Sequence, residues 1–100
     1  MITAEIALIP VGTGSTSVSE YIAVAERVLK NYPNLEFKIR SMSTEICGEP
    51  LEDVFKAMLE MHQAVIAKGA KRVNTAIRID DRRDKDTGID EKIKSVESKM

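Results

Sequence analysis

One hundred residues leave room for a single domain and no second core. Hydrophobic residues make up 43% of the chain with no tryptophan and only 4% aromatics, so the interior must be aliphatic, built from Ile, Val, Leu, Met and Ala. Fifteen basic residues against sixteen acidic ones give a net charge of -1. That balance provides no field for polyanions and sets bulk nucleic-acid binding aside.

Cys47 is the only cysteine, which excludes an intrachain disulfide and a multi-cysteine zinc site. The opening Met1-Ile2-Thr3-Ala4-Glu5 has neither the basic region nor the apolar run of a secretory signal. No stretch approaches the ~18 apolar residues that span a bilayer. A cytoplasmic location is the expectation. A chain this short buries a modest share of its surface, so a partner would add to its stability.

In chain order, Ile2 to Val11 reads as a strand with Ile2, Ala4, Ile6 and Leu8 on one face. Its other face, Thr3, Glu5, Ala7 and Ile9, turns apolar towards the end, as in a strand covered on both sides there. The Gly12-Thr13-Gly14-Ser15-Thr16 segment breaks the pattern. Ser17 and Glu20 have capping-box spacing, and Val18, Tyr21, Ile22, Ala25, Val28, Leu29 and Tyr32 form the apolar stripe of a helix ended by Asn31-Tyr32-Pro33-Asn34.

Leu35, Phe37 and Ile39 alternate with Glu36, Lys38 and Arg40 in a second strand. The short Ser41-Met42-Ser43 connection leads into a third, Thr44 to Gly48, its antiparallel neighbour. Pro50 suits a first helical position, and Glu52 and Asp53 complement the dipole behind it. Leu51, Val54, Phe55, Met58, His62, Val65 and Ile66 make this helix's stripe, and Gly69 ends it. Val73, Thr75, Ile77 and Ile79 alternate with Arg72, Asn74, Ala76 and Arg78 in a fourth strand.

The order β-α-β-β-α-β is the split-βαβ, ferredoxin-like arrangement of an α+β protein. Right-handed crossovers place two helices on one face of a four-stranded antiparallel sheet. The opposite face would carry Thr3, Glu5, Glu36, Lys38, Arg40, Glu45, Asn74 and Arg78, free to meet water or another sheet. Residues 1–81 form this core. Residues 82–100 add a charged linker and an extra C-terminal helix, opened by Thr87 with Asp90 three residues on.

That last helix has one narrow apolar seam of Ile89, Ile93, Val96 and Met100. A helix so short is marginal alone, and two helices already cover the core face. Shelter from a neighbouring copy is therefore expected. The preceding run, Asp80 to Asp86, reads either as a solvated linker or as an assembly strap. Its position after an apolar strand favours assembly, with Asp81, Arg82 and Arg83 making carboxylate–guanidinium contacts and Ile89, Ile93 and Val96 packing.

Other residues offer less chemistry. The segment from Gly12 to Ser17 has the small residues and hydroxyls of an anion cradle at a helix start, yet it lacks the spacing of a dinucleotide or Walker loop and equally suits a tight turn. His62 has Met58 and Ile66 four residues away on either side, so no metal pair forms along its helix. It reads as a hydrogen-bonded core residue, without an evident nucleophile to serve. Cys47 has no cation beside it in sequence and reads as an inert thiol.

With this topology in place, four segments resemble one family. They are Pro10-Val11-Gly12-Thr13-Gly14-Ser15-Thr16-Ser17-Val18-Ser19, His62-Gln63-Ala64-Val65, Gly69-Ala70-Lys71-Arg72-Val73 and Ile79-Asp80-Asp81-Arg82-Arg83-Asp84. Together they look like the thiamine-binding-protein-like family, and the resemblance covers essentially the whole chain. It implies the ferredoxin-like fold, a homotetramer built as a dimer of dimers, no enzyme activity and no cofactor. It also implies a ligand such as thiamine or its hydroxymethylpyrimidine moiety, held by a carrier or sensor. Ser43 and Cys47 depart from the family pattern, which often has glycine at the first position and an acidic residue at the second.

An aminopyrimidine needs an apolar slot with a few polar groups. The candidates are Gly12, Thr13, Ser15 and Ser17 in the first loop, with Thr44, Glu45, Asn74 and Thr75 on the strands, although the neighbours in each strand pair cannot face the same way. Phe37 or Tyr21 could stack on the ring, or serve only as core. Two alternatives stand beside this reading. One is a structural or regulatory oligomer without such a ligand. The other is a small hydrolase of acylphosphatase-like topology, a type whose first β–α loop needs an arginine that this loop lacks.

Overall fold

The computed structural model describes residues 1–100. Four strands, β1 (Ile2–Val11), β2 (Leu35–Ile39), β3 (Thr44–Gly48) and β4 (Arg72–Asp81), form one antiparallel sheet in the order β2-β3-β1-β4. The helices are α1 (Ser19–Val28), α2 (Leu51–Lys68) and α3 (Ile89–Glu97). The βαββαβ order and the α+β class are as the sequence predicts. None of the helices is long and apolar enough to cross a membrane.

The strand periodicity converts directly into burial. Ile2, Ala4, Ile6 and Leu8 of β1 are buried, as are Leu35 of β2 and Thr44 and Ile46 of β3. Against them pack Ala25 and Leu29 from the first helical segment and Val54, Ala57, Met58, Met61 and Val65 from α2. Gly48 permits a close approach at the β2–β3 edge. A Cβ built there would lie 2.6 Å from the Asn34 carbonyl oxygen, so only glycine fits without backbone movement.

Several local expectations shift. Helix α1 starts at Ser19, with Val18 at its N-cap and no side-chain cap. The Ser17 N–H donates to Ser15 Oγ at 3.0 Å, so local loop bonding displaces the expected capping box. The helix ends as a 3-10 turn, Leu29–Asn31, instead of continuing regularly to Tyr32. In α2 the buried face is rotated from the expected stripe. Ala57 and Met61 are buried while Phe55, Leu59 and Ile66 are about half exposed, because the core-facing side must serve both α1 and the sheet.

The helix α3 finds a berth on its own chain. It crosses the sheet face opposite α1 and α2, where Lys38 pairs with Asp90 and the Lys92 ammonium lies 2.9 Å from Asp80 Oδ2. The Cys47 thiol donates to the Thr87 carbonyl at 3.9 Å. Ile89 is thereby only 2% exposed, outside the main core cluster. The expectation that the whole seam needs a neighbouring copy is thus corrected at Ile89, since the open face itself offers room. Val96, at 62% exposure, stays outside this contact. The N-cap is Gly88, whose N–H donates to the Glu91 carboxylate, while Thr87 Oγ1 is buried without a partner.

The far end of the open face is uncovered. Ile9 is 54% exposed, so the apolar end of β1 is not sandwiched within one chain.

Candidate functional site

Helix α1 carries a carboxylate on its buried side. Glu26 follows Val18 and Ile22 at successive four-residue steps and precedes Leu29 by three, so the helical repeat turns it inward. It is 8% exposed. Opposite it, the β3 pleat points Thr44 to the same layer as Ile46, and the Thr44 hydroxyl donates to Glu26 Oε1. The second oxygen, Oε2, is buried and has no hydrogen-bond partner. Burial pushes this carboxyl above the usual carboxylate range, and the Thr44 bond opposes that rise without cancelling it.

Glu26 and Thr44 line a slot of about 210 Å³ between α1, the end of β1 and the β2–β3 hairpin. Its walls are largely apolar, from Ile6, Leu8, Ile9, Val18, Ile22 and Ile39. The hairpin contributes Arg40, Ser41, Met42 and Ser43. The Arg40 guanidinium is held at the rim by Glu45, with Nε 3.2 Å from Oε1. The volume is several times the ~30 Å³ that one water takes in the liquid, and smaller than the roughly 300–1,000 Å³ pockets of drug-sized ligands. One ring fits that scale better than two.

The structure disperses the other sequence candidates. Thr75 faces the helix layer on β4, where its Oγ1 lies 2.6 Å from His62 Nδ1. His62 is therefore the hydrogen-bonded residue its position suggests. Glu45 and Asn74 belong to the opposite face, in register with Glu5 and Ile9 of β1. Phe37 and Tyr21 pack at the margin of the core and do not line the slot. Cys47 also lies on the open face, 3.8 Å from Thr3 Oγ1, and burial pushes its thiol up. Of the two departures from the family pattern, Ser43 touches the slot and Cys47 does not.

The loop with Gly12, Thr13, Ser15 and Ser17 joins two slot walls, Ile9 and Val18, but lines none of the slot itself. Its polar groups are engaged locally, with Thr13 Oγ1 donating to the Ser15 carbonyl at 3.1 Å. The strap residues pair within the chain, Arg83 to Asp81 at 2.8 Å and Arg82 to Asp84 at 2.7 Å. Those contacts lower the Asp81 and Asp84 pKa values through the arginine hydrogen bonds. Ile93 and Val96 lie on the outer part of α3.

Apolar periodicity along α1 does not reveal Glu26, since its side chain is charged. A charged residue in register with Val18, Ile22 and Leu29 was the available signal.

Comparison with known proteins supports this placement within a family. The model of the thiamine-binding protein family matches residues 4–97. The UPF0045 protein of Methanothermobacter thermautotrophicus is 44% identical over 100 residues, covering 100% of both chains. The Bacillus subtilis UPF0045 protein YqgV is 42% identical over 99 residues, covering 96% of this chain and 94% of its own. Among solved structures, a hypothetical protein from Methanocaldococcus jannaschii superposes with a TM-score of 0.85 at 34% identity, covering 96% of this chain and 95% of that one. A candidate thiamine biosynthesis/salvage protein from Thermotoga maritima shares the fold, with a TM-score of 0.76 at 19% identity over 95% of this chain and 97% of its own. On the family match and these full-length relatives, the chain belongs to the thiamine-binding protein family.

Proposed function

We propose that this protein is a homo-oligomeric small-molecule binder that holds thiamine or a hydroxymethylpyrimidine-like ligand in the Glu26–Thr44 slot, as a carrier or sensor in the cytoplasm and not as an enzyme. The observation that carries the reading is Glu26 Oε2, a buried oxygen without a donor beside an apolar slot. Leaving such a group unpaired costs about 1–3 kcal/mol, and a guest that pairs with the carboxyl group would offset that cost. The glutamate's terminal torsion is soft, so the reading requires the carboxyl group to turn this oxygen towards a ring in the slot.

Self-association, as a tetramer made of two dimers, has separate support. Phe55, Leu59 and Ile66 recur along one side of α2, and Ile77 lies on the adjoining edge strand β4, all about half exposed. An apolar stripe beside an unpaired strand edge suits burial against another copy. The same stripe favours the second reading, a structural oligomer without a ligand.

Calorimetric titration with thiamine and with hydroxymethylpyrimidine tests the proposal. Saturable heat with a raised melting temperature is expected, with the two ligands similar in affinity because the slot takes a single ring. No heat and no thermal shift with either ligand would leave the structural oligomer as the reading.

A further inference from the structure

The unpaired oxygen also bears on how a ligand is chosen. Thr44 donates to Glu26 Oε1, so a proton on this carboxyl group belongs on Oε2, the oxygen without a partner. The neutral acid then offers a donor, Oε2–H, beside an acceptor with a lone pair to spare, Oε1. A ring nitrogen next to an exocyclic amine offers the complement, an acceptor beside a donor. Two such bonds close a planar pair, the same pattern by which a side-chain amide grips the edge of adenine.

We infer that Glu26 receives its ligand as a neutral carboxylic acid, with Oε2–H donating to a ring nitrogen and Oε1 accepting from the adjacent amine. The slot then selects amino-heterocycles over their oxo counterparts, and binding takes up a proton. This inference rests on the small-molecule-binding reading above.

The surroundings support a proton on Glu26. Glu26 is flanked by Ile22 on its own helix, by Ile6 and Leu8 of β1, and by Thr44 of β3. Arg40 is the other titratable side chain on the slot, and it is engaged with Glu45. Burial is the dominant influence on the carboxyl, and no charged neighbour on α2, β1 or β3 contributes to its shift. An ionised carboxylate would meet a neutral ring nitrogen with lone pair against lone pair. A proton on Oε2 removes that conflict.

The experiment is calorimetric titration of the full chain with hydroxymethylpyrimidine, in buffers of different ionisation enthalpy, at pH values above the titration of free Glu26. Uptake approaching one proton per ligand is expected, with the Kd weakening by up to about tenfold per pH unit. Glu26→Gln supplies the same donor–acceptor pair without titrating. It should bind within about threefold of the wild-type acid-side affinity, independent of pH, whereas Glu26→Met should lose about tenfold or more. The 4-oxo analogue should bind the wild type at least about tenfold more weakly than the amine. Melting curves of both variants verify that they fold.

Binding without proton uptake overturns the inference and leaves the binding reading intact. So does a Glu26→Gln variant as weak as Glu26→Met, or an oxo analogue as tight as the amine. Absence of heat with both hydroxymethylpyrimidine and thiamine overturns the binding reading, and the inference with it.

Discussion

His62 of α2 and Thr75 of β4 meet at 2.6 Å between Nδ1 and Oγ1, a polar bridge from the helix layer to the edge strand. Both residues are partly buried, so water replaces the bond only in part when one partner is lost. Thr75→Val should cost about 1 kcal/mol of stability, measured by urea unfolding. Affinity for hydroxymethylpyrimidine should not change, because Thr75 is outside the slot. A loss of binding in a stably folded Thr75→Val protein would place the ligand at β4 instead.

The seam of α3 divides into an anchored residue and free ones. Ile89→Ala removes a side chain that is 2% exposed and should destabilise by about 2–4 kcal/mol. Val96→Ala, at an exposed site, should stay within about 0.5 kcal/mol. Hydrogen exchange across residues 89–97 distinguishes the two, with early exchange expected only for Ile89→Ala. Equal effects would mean that Val96 has shelter from another copy.

Glu26 makes stability depend on pH in a defined direction. Its folded pKa is raised by burial, so between the ordinary glutamate value and the raised one the native state binds more protons than the unfolded chain. Stability therefore falls as pH rises through that window. Glu26→Gln should remove this component, so that the difference in melting temperature between variant and wild type grows with pH across the window and then levels off. A constant difference across the window would show that the carboxyl group does not titrate abnormally. Asp81, Asp84 and Asp90 act with the opposite sign. Their pKa values are lowered mainly by hydrogen bonds from Arg83, Arg82 and Lys38, and their contribution fades as pH falls through the lowered values.

The half-exposed stripe on α2 and β4 makes a prediction about assembly. Leu59→Lys or Ile77→Lys places a charge where a second copy would pack, and each should shift the sedimenting species to a smaller one without unfolding it. Unchanged sedimentation would move the interface to another face.

Much of the fold was legible because alternation and helical spacing are local signals. The β1 burial pattern follows from Ile2, Ala4, Ile6 and Leu8, and the end of α2 from Gly69. What escaped required knowing neighbours. The rotation of the α2 face depends on where α1 lies, and the berth of Ile89 depends on space above the open side of the sheet. Of the ligand candidates read from the sequence, Thr44 alone lines the slot. Glu45 and Asn74 lie on the opposite face of the sheet, and Glu26 carries a charge that apolar periodicity passes over.

The hairpin that rims the slot is short, and its tip residue, Met42, is 88% exposed. The Glu26–Thr44 pair joins α1 to β3, whereas the hairpin tip is fastened through Ser43, whose carbonyl accepts from the Arg40 N–H at 2.9 Å and whose hydroxyl donates to Glu5 at 3.4 Å. If the slot binds as proposed, recognition falls to the inner pair and admission to the hairpin tip. Exchanges at Ser41, Met42 and Ser43 would then change the bulk of guest admitted while leaving Glu26 and Thr44 unaltered.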